Sequence, residues 1–232
     1  MKRLLIAFAA ASCLVSAPAY AGVDVTTAGG TSSLAVGDDV TVDFAGIGGN
    51  PVITIPGLAS SLLLTYTGMT TVAGNTVFTF DYVLTNLSTL AGARLSSFGF
   101  DVNPNVKSAG ATGDFDTASL NVNYPVGFGS VDVCFYDGPG GTCTGNGNGV
   151  VGNGNTATGS LTLTMNGLVS DITLSNFVDR YQAFNYQGIQ SAIGSDITSG
   201  VPEPATWAMM ILGIGLAGAA MRRRRQVLAL AA

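Results

Sequence analysis

The stretch Asn75–Asn86, NTVFTFDYVLTN, alternates apolar and polar side chains with a period of two. Phe78, Phe80, Tyr82 and Leu84 fall on one side of an extended chain, while Val77, Thr79, Asp81, Val83 and Thr85 fall on the other. This pattern marks a strand with one face in a core and the other face wet or packed between sheets. The same period returns in segments 40–45, 62–67, 95–102, 131–136, 161–165 and 172–177. The separators are rich in Gly, Asn, Asp and Pro, which supply turns, and no part of the body carries a sustained helical stripe. The alternation therefore predicts an all-β domain: an antiparallel β-sandwich of jelly-roll or Ig-like kind.

Both ends of the chain differ from this body. Lys2 and Arg3 precede an apolar run over 4–15. Pro18 and the small-x-small triplet Ala19, Tyr20, Ala21 follow. That order reads as a signal peptide over residues 1–21, cut after Ala21 so that Gly22 begins the mature chain. Cys13 lies inside the discarded run and lacks the setting of a lipidation site. At the other end, a linker over 197–204 leads through Pro202, Glu203 and Pro204 into an uncharged stretch, 205–221, that contains Trp207. As a helix this stretch is about 25 Å long, at the short limit for crossing a bilayer core. Arg222, Arg223, Arg224 and Arg225 would be costly inside lipid, so they halt transfer and keep the tail 222–232 on the cytoplasmic side. The glycines of Gly213-Ile214-Gly215-Leu216-Ala217-Gly218 match a dinucleotide fingerprint but sit inside the apolar stretch, where they serve close helix packing.

Between these ends, residues 22–196 are long enough for one domain with its own core. Over 22–200 the chain has three basic residues, Arg94, Lys107 and Arg180, against thirteen aspartates. An acidic body of this kind is not steered toward nucleic-acid phosphates. Its only cysteines, Cys134 and Cys143, flank a turn-rich segment, and an oxidising compartment would join them. A zinc site would need further ligands, and the chain has no histidine. Without histidine, and with no glutamate before Glu203, the means for nucleophilic or acid–base catalysis are thin, and the body reads as non-enzymatic. No cofactor is expected. The glycine-rich segment 138–160 reads as an exposed loop. The aspartates Asp38, Asp39 and Asp43, or Asp114 and Asp116 with Asn103 and Asn105, read as turn residues that could hold calcium only if the fold gathered them. Arg180 is expected to pair with a nearby aspartate, the alternative being the carboxylate of a ligand.

The residues Pro202, Glu203, Pro204, Trp207, Ala208, Met209 and Met210, followed by the apolar run and four arginines, resemble the PEP-CTERM class of exported bacterial proteins. The resemblance covers about the last thirty residues. It implies recognition by an exosortase, a membrane enzyme that removes or transfers the C-terminal helix, after signal peptidase has acted at the other end. It also implies a Gram-negative cell, an inner-membrane-anchored precursor and a final place at the cell surface or in the extracellular matrix or biofilm. The chain departs from the pattern in continuing past the arginines, from Gln226 to Ala232. The body is similar, more faintly, to the cistern family of these proteins. That likeness runs through Ser97-Phe98-Gly99-Phe100-Asp101-Val102, Val131-Asp132-Val133-Cys134-Phe135 with Cys143, and Ser175-Asn176-Phe177-Val178-Asp179-Arg180-Tyr181-Gln182. It implies a shared fold and disulfide.

Two functions fit these readings. One is a structural or adhesive surface component. The other is a carbohydrate-binding module for the cell's own exopolysaccharide, using exposed aromatics among Tyr124, Phe128, Tyr136, Tyr181 and Tyr186 as a coplanar stacking platform.

Overall fold

A computed structural model describes residues 22–138, 141–145 and 148–196. The signal segment, the PEP strip with Trp207, the apolar run 205–221 and the four arginines lie outside the described residues, as does the expected membrane helix. Among the described residues there is no helix. The strands are β1 (Val23–Thr27), β2 (Gly30–Leu34), β3 (Asp39–Gly48), β4 (Ile53–Val72), β5 (Asn75–Asn86), β6 (Arg94–Asn103), β7 (Val106–Gly113), β8 (Thr117–Tyr124), β9 (Gly129–Tyr136), β10 (Val150–Val151), β11 (Asn155–Met165), β12 (Ile172–Tyr186) and β13 (Ile189–Asp196).

The all-β, antiparallel expectation holds, but two separate sheets do not form. The strands join one sheet in the order β7-β11-β5-β4-β3-β13-β12-β6-β9-β8, antiparallel at every step. The hairpin of β1 and β2 hangs from the start of β12, with β1 parallel to it. The sheet curls until its end strands β7 and β8 touch, giving a nearly closed barrel. The residues that carry the alternation explain the curl. Phe78, Phe80, Tyr82 and Leu84 of β5 are all buried, as are Leu62, Leu64 and Tyr66 of β4. From the far side of the sheet order come Phe98 and Phe100 of β6, Phe135 of β9 and Phe177 of β12. Tyr82 meets Phe98 across the interior with ring centroids 5.3 Å apart, and Phe98 meets Phe135 at the same distance. Rings of this size bury enough apolar area to hold the two halves together. A curled sheet brings them into contact without a second sheet.

Two polar side chains caught in this interior, Tyr82 and Asn86, act as fasteners. Tyr82 Oη accepts a hydrogen bond from the Phe115 backbone N–H at 2.8 Å, tying β5 to the connection between the barrel's end strands. Burial pushes the Tyr82 phenol up to about 12. Asn86, fully buried at the end of β5, donates to the carbonyls of Ala93 (3.2 Å) and Val150 (2.8 Å) and accepts from Ser88 N (3.1 Å). It thereby joins β5, the connection to β6 and β10. The glycine-rich segment is correspondingly less of a loop than its composition suggests. Val150–Val151 pairs with β6, and Asn155 to Ser160 belong to β11, paired with β5.

Close packing also explains a glycine in that strand. A Cβ on Gly159 would lie 2.0 Å from the Thr112 carbonyl oxygen and 2.7 Å from Tyr82 Oη. Gly159→Ala should therefore destabilise the barrel by about 1–3 kcal/mol, because backbone and a pinned phenol must both shift. Urea unfolding of native and variant proteins checks this.

Candidate ligand cleft on the outer face of the barrel

Strand β12 organises the site because its two faces differ. Asp179 and Tyr181 point into the barrel, and Val178, Arg180 and Gln182 point out, as the pleat requires. Inside, Tyr181 Oη donates to Ser60 Oγ at 2.9 Å and Ser60 Oγ donates to Asp179 Oδ2. Asp179 is fully buried, and burial pushes its carboxyl up to about 7 against the lowering effect of the Ser60 bond. Gly194 opposite leaves the room it needs, since a Cβ there would lie 2.1 Å from Asp179 Oδ1.

Outside, the strand register lines up polar side chains in rows. Gln182 pairs with Arg94 of β6 on one side and with Ser191 of β13 on the other. Two residues back along β12, Arg180 stands between Ser97 of β6 and Ile193 of β13. Over this face lies the loop that Cys143 anchors. Cys134 and Cys143 are disulfide-bonded with their Cα atoms 6.2 Å apart, as the oxidised reading of the pair expects. Ser97 Oγ donates to the Cys143 carbonyl at 2.7 Å, and Gln182 Nε2 donates to the Gly145 carbonyl. Tyr124 completes the cover, its hydroxyl 3.1 Å from Ser97 Oγ and 3.0 Å from Cys134 Sγ. It packs with Val131, Val178 and Ile193 in a second, smaller apolar cluster.

Beside this cover opens a cleft of about 660 Å³ lined by Arg94, Arg180, Gln182, Phe184, Gln190 and Ser191. Arg180 is only 7% exposed. Its Nη2 donates to Ser191 Oγ at 3.5 Å, and its Nε and Nη1 are buried without a hydrogen-bond partner among the described residues. The expected aspartate partner is not what Arg180 meets. Its sequence neighbour Asp179 lies on the opposite face of the same strand, turned into the barrel. Burial lowers the Arg180 guanidinium from its ordinary value, opposed by the nearby Tyr124 hydroxyl. Arg94 likewise has a buried Nε with no partner among the described residues.

The other candidate residues have structural roles or are dispersed. Asp38 Oδ2 caps its turn by accepting from Ala35 N at 2.9 Å. Asp114 Oδ2 accepts from Thr158 N at 2.6 Å, and Asp116 Oδ1 from Gly138 N at 3.2 Å. Among the described residues no three metal-ligating side chains converge. The aromatic platform is not formed. Tyr181 is inside the barrel, Tyr124 is buried under the loop, and the Tyr124 and Phe128 rings meet edge-on at 67°. Tyr136 and Tyr186 are half-buried and stand on different strands. Sequence alone gives Arg94, Gln182 and Ser191 no common site, because only strand register brings them together.

Residues 200–225 match the model of the PEP-CTERM protein-sorting motif. The chain carries a PEP-CTERM sorting signal. The motif marks an exported protein that is sorted through its C-terminus and processed by an exosortase. Its match includes Pro202, Glu203, Pro204, Trp207 and Arg222 to Arg225, and lies wholly C-terminal to the barrel's last strand. No curated protein and no solved structure matches the chain. The three segments that carry the fainter resemblance of the body fall on β12, β6 and β9, which are consecutive neighbours in the sheet and form the floor beneath the disulfide loop.

The buried Asp179 gives a pH signature. In the unfolded chain this carboxyl ionises near its ordinary value of 3.8, whereas the folded protein keeps it protonated up to about 7. Its contribution to stability is complete below the lower value and is lost as pH rises through the upper one. The stability of the native protein relative to Asp179→Asn should fall between about pH 4 and pH 7, by on the order of a few kcal/mol. Urea midpoints measured for both proteins across that range test it.

Proposed function

We propose that the barrel is the working part of a non-enzymatic surface protein, delivered by its sorting signal to the outside of a Gram-negative cell or into the surrounding matrix, where its role is structural or adhesive. The observation that carries this reading is the sorting motif at 200–225 placed C-terminal to a disulfide-bonded, acidic barrel. A disulfide persists in an oxidising compartment, in keeping with export. The aspartates that cap turns and the abundant Thr, Ser and Asn of the outer strands give a hydrated surface suited to life outside the cell. On this reading the precursor is anchored by 205–221 in the inner membrane, with Arg222 to Arg225 inside, and the catalyst in its life history is the exosortase. The aromatic carbohydrate-binding reading gains nothing from the rings as they stand.

Mass spectrometry of the protein recovered from the cell surface tests the proposal. The expected product starts at Gly22, ends near Glu203 and lacks both thiols of Cys134 and Cys143. A chain retaining residues 1–21 and both free thiols, recovered from the cytosol, would contradict it.

A further inference from the structure

We propose that the cleft beside the disulfide loop binds a carboxylate group carried on a hydroxylated ligand of sugar size, such as a hexuronate. This goes beyond the structural role by assigning a ligand, and it rests on different residues from the aromatic platform. The first ground is charge. Two of the three basic side chains of a body with thirteen aspartates line one cleft, at positions where the register of β6, β12 and β13 sets them on the same face. The second is unmet hydrogen bonding. Arg180, more than nine-tenths buried, leaves Nε and Nη1 without partners among the described residues, and Arg94 does the same with Nε. A buried charge with idle donors is costly, and an anion arriving in the cleft would satisfy both the charge and the planar donor fork.

The ligand class follows from the lining and the surroundings. A guanidinium matches a carboxylate in two parallel hydrogen bonds, and a single negative charge is the one an acidic body repels least. Gln190 and Ser191 stand beside the arginines with amide and hydroxyl groups that match sugar hydroxyls as donors and acceptors. A volume of about 660 Å³ lies within the range of small-molecule sites. Gln182, which lines the cleft, is held to the Gly145 carbonyl of the disulfide-anchored loop, so this part of the lining is set before any ligand arrives.

The test titrates sodium glucuronate into the full chain held in mild detergent, following the arginine side-chain Nε–Hε signals by NMR and the heat of binding by calorimetry. Glucose and inorganic phosphate serve as the neutral and the phosphate comparisons. Saturable glucuronate binding should shift the Arg94 and Arg180 signals. It should weaken at least about tenfold in Arg94→Gln, whose half-exposed site at the cleft leaves the interior undisturbed, and in Arg180→Gln. Glucose and phosphate should both bind at least about tenfold more weakly than glucuronate. The proposal is overturned by an absence of saturable binding, by glucose or phosphate binding as tightly as glucuronate, or by unchanged affinity in Arg94→Gln. None of these results bears on where the exported chain begins and ends, so the surface assignment is judged separately by its termini.

Discussion

The pleat of a single strand, β12, governs both the stability of this molecule and the placing of its arginine-lined cleft. Successive side chains of an extended chain must point to opposite faces. From 177 to 182 every residue of β12 is buried, so each face has to be covered by something. Inside, Phe177 and Tyr181 join the aromatic core, and Asp179 is held by Ser60. Outside, Val178 lies in the smaller apolar cluster, and Arg180 and Gln182 lie under or beside the loop that Cys143 anchors. A strand buried on both faces needs a cover that is not part of the barrel wall. The disulfide fastens that cover to β9, one strand beyond β6.

The aromatic interior and the disulfide loop thus have separate tasks. Rings from both halves of the curled sheet meet at centroid distances of 5.2–5.9 Å along the chain Tyr82, Phe98, Phe135, Phe100 and Phe177, and close the barrel without help from the bridge. The bridge closes a short loop, which in the chain-entropy account contributes about 2–3 kcal/mol. That is enough to hold one loop over one face and small beside the burial of a dozen large side chains. The consequence is that Gln182, in the lining of the cleft, is held from the loop side without help from the aromatic interior.

Much of this was legible in the sequence where alternation was strong. The stretch read first, Asn75–Asn86, has the same bounds in the structure, and its four expected inward residues are all buried. The segments read as strands over 40–45, 62–67, 95–102, 131–136, 161–165 and 172–177 all lie within longer strands. Strands β7, VKSAGATG, and β13, IQSAIGSD, escaped notice because small and polar residues on both faces erase the period of two, and only pairing with β11 and β12 makes them strands. Closure into one sheet was invisible for a related reason: the alternation states which face is buried but not what lies opposite. At the site, Arg180 stood out as a rare cation, and an aspartate partner was the reasonable expectation. The pleat overrode it by sending Asp179 to the other face. Ser60 gave no signal either, since a serine at an inward position looks like a break in the pattern until Asp179 is seen across from it.

Hydrogen–deuterium exchange of the full chain, with and without reduction of the Cys134–Cys143 bridge, tests this division of labour most directly. The account predicts that reduction exposes the amides of 141–145 to exchange while β5, β6 and β12 keep their protection. Loss of protection in β6 and β12 together with the loop would contradict it, because the barrel would then depend on the bridge and not on its aromatic interior.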